Sequence, residues 1–361
     1  MTAVFINNML DEDVDIYIVN QFKNSDLIAK RLKECSAFHD VYYIDAYDIG
    51  LEAMPKRGYN TYGYKVKSLL LYLKNMLFIN NTVSRFLNMN ADYRTVFMSN
   101  NAMASRFTCL YLFKEKKSFD IVRFDDGTGS YKADSDIYIP AFYDRVCRRI
   151  LFGAESVYIP YTKLLYFPDL YRRINNSEEI IEKIVFDFRS SKLQEVFASL
   201  YMNNGVDSID ESVLILDTNR SEELNDEGIA VIEELYSICE NVFGKDNVIY
   251  KKHPRDRVSK AKNVLNDNSI PFELLCLNNN FSDKVLISSQ STALLSPNLF
   301  FNQEPYIILL YKLLEPYEKN SSFIEKCVEY LKLCYTKPER IIVPESKEEL
   351  NKSLAELLCT L

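Results

Sequence analysis

The sequence predicts an α/β protein made of two doubly wound, Rossmann-like domains. Short runs of apolar, β-branched and aromatic residues alternate with helix-period segments over nearly the whole chain, the pattern of parallel sheets layered with helices. That alternation comes as two sets with a polar stretch between them. The length of 361 residues is also more than one core ordinarily needs.

In the first set, the chain opens on a helical segment, Thr2 to Met9. Asp15 to Val19, Val41 to Ile44, Thr95 to Met98 and Phe119 to Arg123 read as strands, and Ser25 to Ser36, Lys65 to Leu87 and Ala104 to Lys116 as the helices between them. These define an N-terminal domain over residues 1–160. Residues 161–205 read as a mostly helical connection, polar at Asn175-Asn176-Ser177 and Asn203-Asn204-Gly205. Residues 206–361 form the second domain, with strands at Val213 to Leu216, Val248 to Tyr250, Phe272 to Leu275, Lys284 to Ile287 and Tyr306 to Leu310. Its clearest amphipathic helix is Asp226 to Phe243, with Ile229, Ile232, Leu235, Tyr236 and Cys239 on one stripe. Lys347 to Leu361 places Leu350, Leu354, Leu357 and Leu358 at helical spacing, a packed terminal helix.

A hydrophobic share of 47% and a charged share of 26% describe a folded, soluble chain. The net charge of -8 argues against a dedicated nucleic-acid binder, which would cluster cations against phosphates. The eight cysteines form no C-x-x-C pair, so neither a zinc site nor a disulfide framework is indicated. With neither a spanning apolar run nor a signal sequence, a cytoplasmic location is expected. Two basic clusters, Lys114-Glu115-Lys116-Lys117 and Arg145-Val146-Cys147-Arg148-Arg149, are either solvated faces or peripheral contacts with the inner membrane face.

Four stretches can carry chemistry. After the strand ending at Arg123 comes Phe124-Asp125-Asp126-Gly127-Thr128-Gly129-Ser130. The glycines permit positive φ and can turn Asp125 and Asp126 toward a cleft, where a carboxylate crowded by its neighbour suits a general base. A turn with solvated aspartates is the plain alternative. His253, one of two histidines, sits in Lys251-Lys252-His253-Pro254-Arg255, where Lys251, Lys252 and Arg255 favour an anion beside the imidazole. Ser288-Ser289-Gln290-Ser291-Thr292 closes a strand and opens a helix, offering hydroxyls and free N–H groups to a phosphate, or simply an N-cap. Glu273 interrupts an apolar run and could hold a ribose diol or pair with a lysine.

In their order along the chain, the segments Phe124–Tyr131, Lys252-His253-Pro254-Arg255, Pro271-Phe272-Glu273-Leu274-Leu275 and Ser291-Thr292-Ala293-Leu294 resemble the bacterial sialyltransferases of GT-B fold, most closely glycosyltransferase family 52, the lipooligosaccharide sialyltransferases. The resemblance implies two domains facing a central cleft, CMP-sialic acid as donor, a terminal galactose of a surface glycan of lipooligosaccharide or capsule type as acceptor, inversion at the anomeric carbon, and no metal or other cofactor. It implies that His253 contacts the CMP phosphate and acts as acid to the leaving group, that Ser291 and Thr292 bind that phosphate with Ser289, Lys252 and Arg255 beside it, and that Glu273 holds the nucleotide sugar. Asp125 and Asp126 match the acidic motif with Gly127, and Asp226 is a rival base. The chain departs from the family pattern at its start: it opens within the first helix, at Thr2 to Met9, so that either the sequence is shortened or a strand ahead of that helix is missing.

Two other readings compete: a GT-B glycosyltransferase using a UDP- or GDP-sugar, and a non-catalytic two-domain sugar-binding protein. The sequence leaves open the linkage formed and whether the chain forms a homodimer.

Overall fold

The computed structural model describes residues 1–20, 24–52, 62–99, 102–131, 142–153, 162–175, 180–188, 190–201, 208–218, 224–253, 261, 263–265, 270–317 and 321–360. The chain divides into two compact units, Met1–Leu200 and Tyr201–Leu361.

The first unit holds a parallel strand pair, β1 (Asp15–Val19) and β2 (Asp40–Ile44), and a parallel four-stranded sheet ordered β3 (Thr95–Met98), β4 (Asp120–Phe124), β5 (Thr162–Leu165), β6 (Ile180–Lys183). The helices are α1 (Thr2–Met9), α2 (Ser25–Glu34), α3 (Tyr62–Leu77), α4 (Ile79–Val83), α5 (Met103–Lys114), α6 (Phe142–Phe152), α7 (Pro168–Asn175) and α8 (Ser191–Tyr201). Ile44, Met76, Val83, Met98, Phe107 and Leu110 share one buried core, so β2, α3, α4, β3 and α5 pack as a body. Each such side chain contributes about 1.5–3 kcal/mol by leaving water. Helix α1 is fastened by Phe5, whose ring meets Phe186, Phe188, Phe197 and Tyr166 edge-on at centroid distances of 5.0–6.3 Å.

The described residues of 161–205 are mostly helical, in α7 and α8, but they are not an interdomain connection. They contribute β5 and β6 to the first sheet, in register with β4, and the units part near Leu200. The misreading has a physical source in Lys163, a lysine inside a strand. Its stem is buried, its Nζ donates to the Tyr171 hydroxyl, and it lies 4.1 Å from that ring's centroid. Lys163 pairs across the ladder with Arg123, equally buried on β4.

The second unit is a single five-stranded parallel sheet ordered β8-β7-β9-β10-β11, from β7 (Val213–Leu216), β8 (Val248–Lys251), β9 (Val285–Ser288), β10 (Tyr306–Leu309) and β11 (Ile341–Ile342). Every residue of β7, β8 and β9 is buried, as expected of strands covered on both faces. The connections include α9 (Asp226–Phe243), α10 (Phe272–Asn278), α11 (Ser296–Phe301), α12 (Ser321–Cys334) and α13 (Lys347–Leu358). Helix α9 starts where the Asn225 side chain accepts from Gly228 N at 2.8 Å, with Asp226 and Glu227 complementing the helix dipole, and it ends at Gly244, φ 83°. Its stripe Ile232, Leu235, Tyr236, Cys239 and Phe243 shares a core with Leu350, Leu354 and Leu357 of α13.

One expected strand is a helix. Phe272 to Leu275 opens α10, with Pro271 at the N-cap and Phe272, Leu274, Leu275 and Cys276 buried. Proline suits that position because it has no N–H to lose.

Chain order and spatial order differ in the second sheet. β7 comes first along the chain but lies between β8 and β9, so successive crossovers leave it in opposite directions. Open α/β sheets bind ligands at such a switch point, outside the carboxyl ends of the strands.

Candidate functional site

The end of β4 separates two adjacent carboxylates by environment. Asp125 N donates to Leu164 O of β5 at 2.9 Å, which continues the ladder by one residue and turns the Asp125 side chain inward. That side chain is buried. Its Oδ1 accepts from Gly127 N at 3.0 Å, and its Oδ2 accepts from Tyr166 N at 3.3 Å and from the Tyr131 hydroxyl. Gly127 closes this turn at φ 123°, a conformation L side chains rarely adopt. Burial pushes the Asp125 carboxyl up to about 6, against the pull of the hydrogen bonds from Tyr131, Gly127 and Tyr166.

Asp126 faces the other way and is exposed. Ser130, wholly buried on the 3₁₀ turn Thr128–Tyr131, donates its hydroxyl to Asp126 Oδ1 at 2.8 Å and receives Asp126 N at 3.0 Å. Ser99, one residue past β3, also hydrogen-bonds the carboxylate. The side chain reaches solvent on one side while protein crowds the other. Desolvation therefore raises its proton affinity, opposed by Ser130, by the Arg123 charge and by Ser99. The neighbouring charge, expected to be the cause of a raised carboxyl, is a minor influence at Asp125, and burial dominates at both. One acid is thus an anchor of the turn, and the other is an oriented carboxylate open to a reactant.

In the second unit the polar residues gather at the carboxyl ends of β7, β8 and β9, the switch point. Asp217 and Thr218 follow β7, and Ser288 and Ser289 end β9, all buried. Ser288 Oγ donates to Leu216 O at 2.7 Å and accepts from Ser291 N at 3.1 Å, while Ser289 Oγ lies 3.2 Å from Thr218 Oγ1. Asp217 N donates to Lys251 O at 3.0 Å, joining β7 to the end of β8. Lys252 and His253 follow β8 directly and are half-buried. Ser291 caps the 3₁₀ turn Thr292–Leu295 by accepting from Ala293 N at 3.3 Å, and both Ser291 and Thr292 are partly exposed. His253, Ser289, Ser291 and Thr292 accordingly lie at the carboxyl-terminal end of one sheet, with hydroxyls, N–H groups and cations suited to a phosphate.

The other expected residues are placed differently. Glu273 is in the first turn of α10, not on a strand, and accepts from Ser296 Oγ of α11 at 2.9 Å. Its carboxylate ties two short helices together. Asp226 is exposed in the first turn of α9, beside the cap. Arg255 lies outside the described residues.

Ser99 and Thr218 take part in these arrangements without a signal in the sequence, whereas Ser130, Tyr131 and Ser288 lie inside the segments that carry the motifs. Ser130 and Tyr131 follow the acid pair so closely that a hydroxyl count within one turn could have found them. Ser99 and Thr218 are brought in only by strand pairing.

Residues 16–310 match the family model described as Alpha-2,8-polysialyltransferase (POLYST). No curated protein matches the chain. Among solved structures, the chain is similar to the glycotransferase of kitacinnamycin at 9% identity, TM-score 0.44, covering 96% of this chain and 91% of that one. It is similar to CalG4, the calicheamicin glycosyltransferase, at 10% identity, TM-score 0.43, covering 99% and 94%. It is also similar to the Methanocaldococcus jannaschii UDP-GlcNAc 2-epimerase at 13% identity, TM-score 0.41, covering 96% and 93%. Likenesses this distant add nothing to the family match, which carries the sialyltransferase reading without the narrower family-52 one. Since that match covers residues 16–310, most of the sequence, the chain belongs to the alpha-2,8-polysialyltransferase family.

Proposed function

We propose that this protein is a metal-independent, inverting sialyltransferase that takes sialic acid from CMP-sialic acid to the end of a surface glycan. The observation that carries the proposal is the division of labour at β4: Asp126 is open, oriented by Ser130 and Ser99, and held at raised proton affinity, while Asp125 is sealed into the turn behind it. Asp126 is the base. It takes the proton from the acceptor hydroxyl as that oxygen bonds to the anomeric carbon and the bond from that carbon to the CMP phosphate oxygen breaks. Asp226, exposed at a helix start, lacks comparable orienting partners among the described residues, and this favours Asp126 over it.

The departing CMP phosphate gathers negative charge. His253, with Lys252 and Arg255 beside it in sequence, and the Ser289, Ser291 and Thr292 segment are the groups assigned to meet that charge, His253 donating a proton or hydrogen bond. Preorganised donors of this kind commonly supply several kcal/mol. Glu273 serves the nucleotide-sugar site through α10 and α11, positioning rather than contacting.

The family description favours a sialic acid terminus, joined through α2,8 linkage, as the acceptor. A terminal galactose is the acceptor under the family-52 resemblance. The test is incubation of CMP-sialic acid, in the presence of a chelator, with sialic acid-terminated and galactose-terminated oligosaccharides, products being read by mass spectrometry. Transfer to the sialylated acceptor is expected. Failure to consume CMP-sialic acid, with turnover of a UDP- or GDP-sugar instead, would overturn the donor assignment. Binding without turnover of any donor would favour a non-catalytic sugar-binding protein.

A further inference from the structure

The first strand pair repeats one pattern, Asp-x-Tyr, at Asp15-Ile16-Tyr17 and Asp40-Val41-Tyr42. In the parallel register of β1 and β2, Asp15 stands opposite Asp40 and Tyr17 opposite Tyr42. Strand alternation puts all four side chains on one face. The two tyrosine rings stack, with centroids 4.7 Å apart and 7° between their planes, and the two carboxylates occupy the rung before them. Like charges directly opposed on neighbouring strands repel, and a cation between them removes the conflict.

His39 supplies part of that compensation. Its backbone N–H donates to Val14 O at 3.0 Å, carrying the pairing one residue back from Asp40, and its Nδ1 lies 2.8 Å from Asp15 Oδ1. The charges of Asp13, Asp15 and Asp40 all bear on this imidazole. Ligand atoms of Asp15, His39 and Asp40, one from each, lie within 4.8 Å of one another. Zinc bound at about 2.0–2.2 Å by nitrogen and carboxylate oxygen holds its tetrahedral ligand atoms about 3.4 Å apart. Rotation of the exposed His39 ring can close that difference.

The carboxylates are already aimed. The Asp15 side chain is 7% exposed, and its Oδ2 accepts from the Tyr93 hydroxyl at 2.8 Å. The Tyr93 and Tyr17 hydroxyls lie 2.6 Å apart, Tyr17 accepts from Asn88 N at 3.3 Å, and Tyr42 donates to Asp40 Oδ2 at 3.2 Å. Outer hydrogen bonds of this kind orient the ligands of metal sites.

We propose that Asp15, His39 and Asp40 form a structural zinc site built without cysteine, with water completing the shell. An imidazole beside carboxylates suits zinc better than magnesium, which keeps to oxygen. Tyr93 precedes β3 and Ser99, which meets Asp126, follows it, so six residues of extended chain, roughly 20 Å, separate the ion from the acid pair. The ion braces β1, β2 and the segment entering β3 and takes no part in glycosyl transfer.

The test begins with the full chain stripped of metal by a chelator and freed of the chelator. Zinc sulfate well above its Kd should raise the melting midpoint by several degrees, and magnesium should not. Cobalt(II) in place of zinc should give tetrahedral visible absorption without a thiolate charge-transfer band. His39→Gln and Asp40→Asn should each weaken zinc binding about tenfold or more by calorimetry, with the far-ultraviolet circular dichroism of the parent. A parent midpoint indifferent to zinc, a thiolate band, which would put the ion on cysteines, magnesium matching zinc, or undiminished affinity in both variants would each overturn the proposal.

Discussion

Replacing Asp125 and Asp126 one at a time should yield opposite signatures from two neighbouring residues. In Asp126→Asn the remaining oxygen can still accept from Ser130, so the side chain keeps its place and loses only its basicity. General-base loss of this kind costs about a hundredfold to ten-thousandfold in kcat, while an exposed substitution leaves stability within about 0.5 kcal/mol. In Asp125→Ala, the Tyr131 hydroxyl and the Gly127 and Tyr166 N–H groups lose their acceptor inside the protein. Each orphaned donor costs about 1–3 kcal/mol, offset by relief of a carboxylate that is costly to bury, worth about 3 kcal/mol at neutral pH. The net loss is about 3 kcal/mol, several degrees in Tm for a unit of this size. Steady-state kinetics with CMP-sialic acid, run beside thermal melts of both variants, checks this. If Asp126→Asn kept near-normal turnover while Asp125→Ala abolished it without lowering Tm, the roles would be reversed and the assignment wrong.

Other outcomes follow from the same geometry. The folded-state affinity of Asp125 for its proton exceeds that of the unfolded chain, so its contribution to stability is fully present below about pH 4 and is lost as pH rises through about 6. Denaturant midpoints across that window should lose this slope in Asp125→Asn. Ser288→Ala strips partners from Leu216 O and Ser291 N at a wholly buried position, and should cost about 1–3 kcal/mol together with weaker CMP binding by calorimetry. His253→Ala should lower turnover at least about a hundredfold while the melting curve is unchanged. Phe5→Ala opens the aromatic cluster under α1 and should cost about 3–5 kcal/mol in chemical denaturation.

Much of the architecture was legible because parallel strands buried on both faces leave near-continuous apolar runs, as in Val213 to Leu216 and Val285 to Ile287. Legibility failed where that rule is broken. Thr162–Leu165 carries a lysine in a strand, tolerable only because Tyr171 and the ladder enclose it, and a polar letter hid the strand. Phe272 to Leu275 failed for the opposite reason, since alternation over four residues fits either period until Cys276 is seen to be buried one turn beyond Phe272. The acid pair and the serine segment could be found as motifs. What separates Asp125 from Asp126 could not, because it depends on Leu164, Tyr166 and Ser99, which are distant along the chain.

The contrast at the end of β4 also makes strand phase a chemical variable. Alternation along an extended chain sends consecutive side chains to opposite sides, so identical residues at 125 and 126 acquire unlike duties from position alone. Losing a single residue from β4 would exchange them, presenting the constrained carboxylate to water and driving the reactive one inward. A conservative change to glutamate at 126 merely lengthens a reach into open space, whereas the same change at 125 must find room for a methylene in a closed turn. Tolerance to substitution and intolerance to deletion should therefore coexist within a few residues of one another.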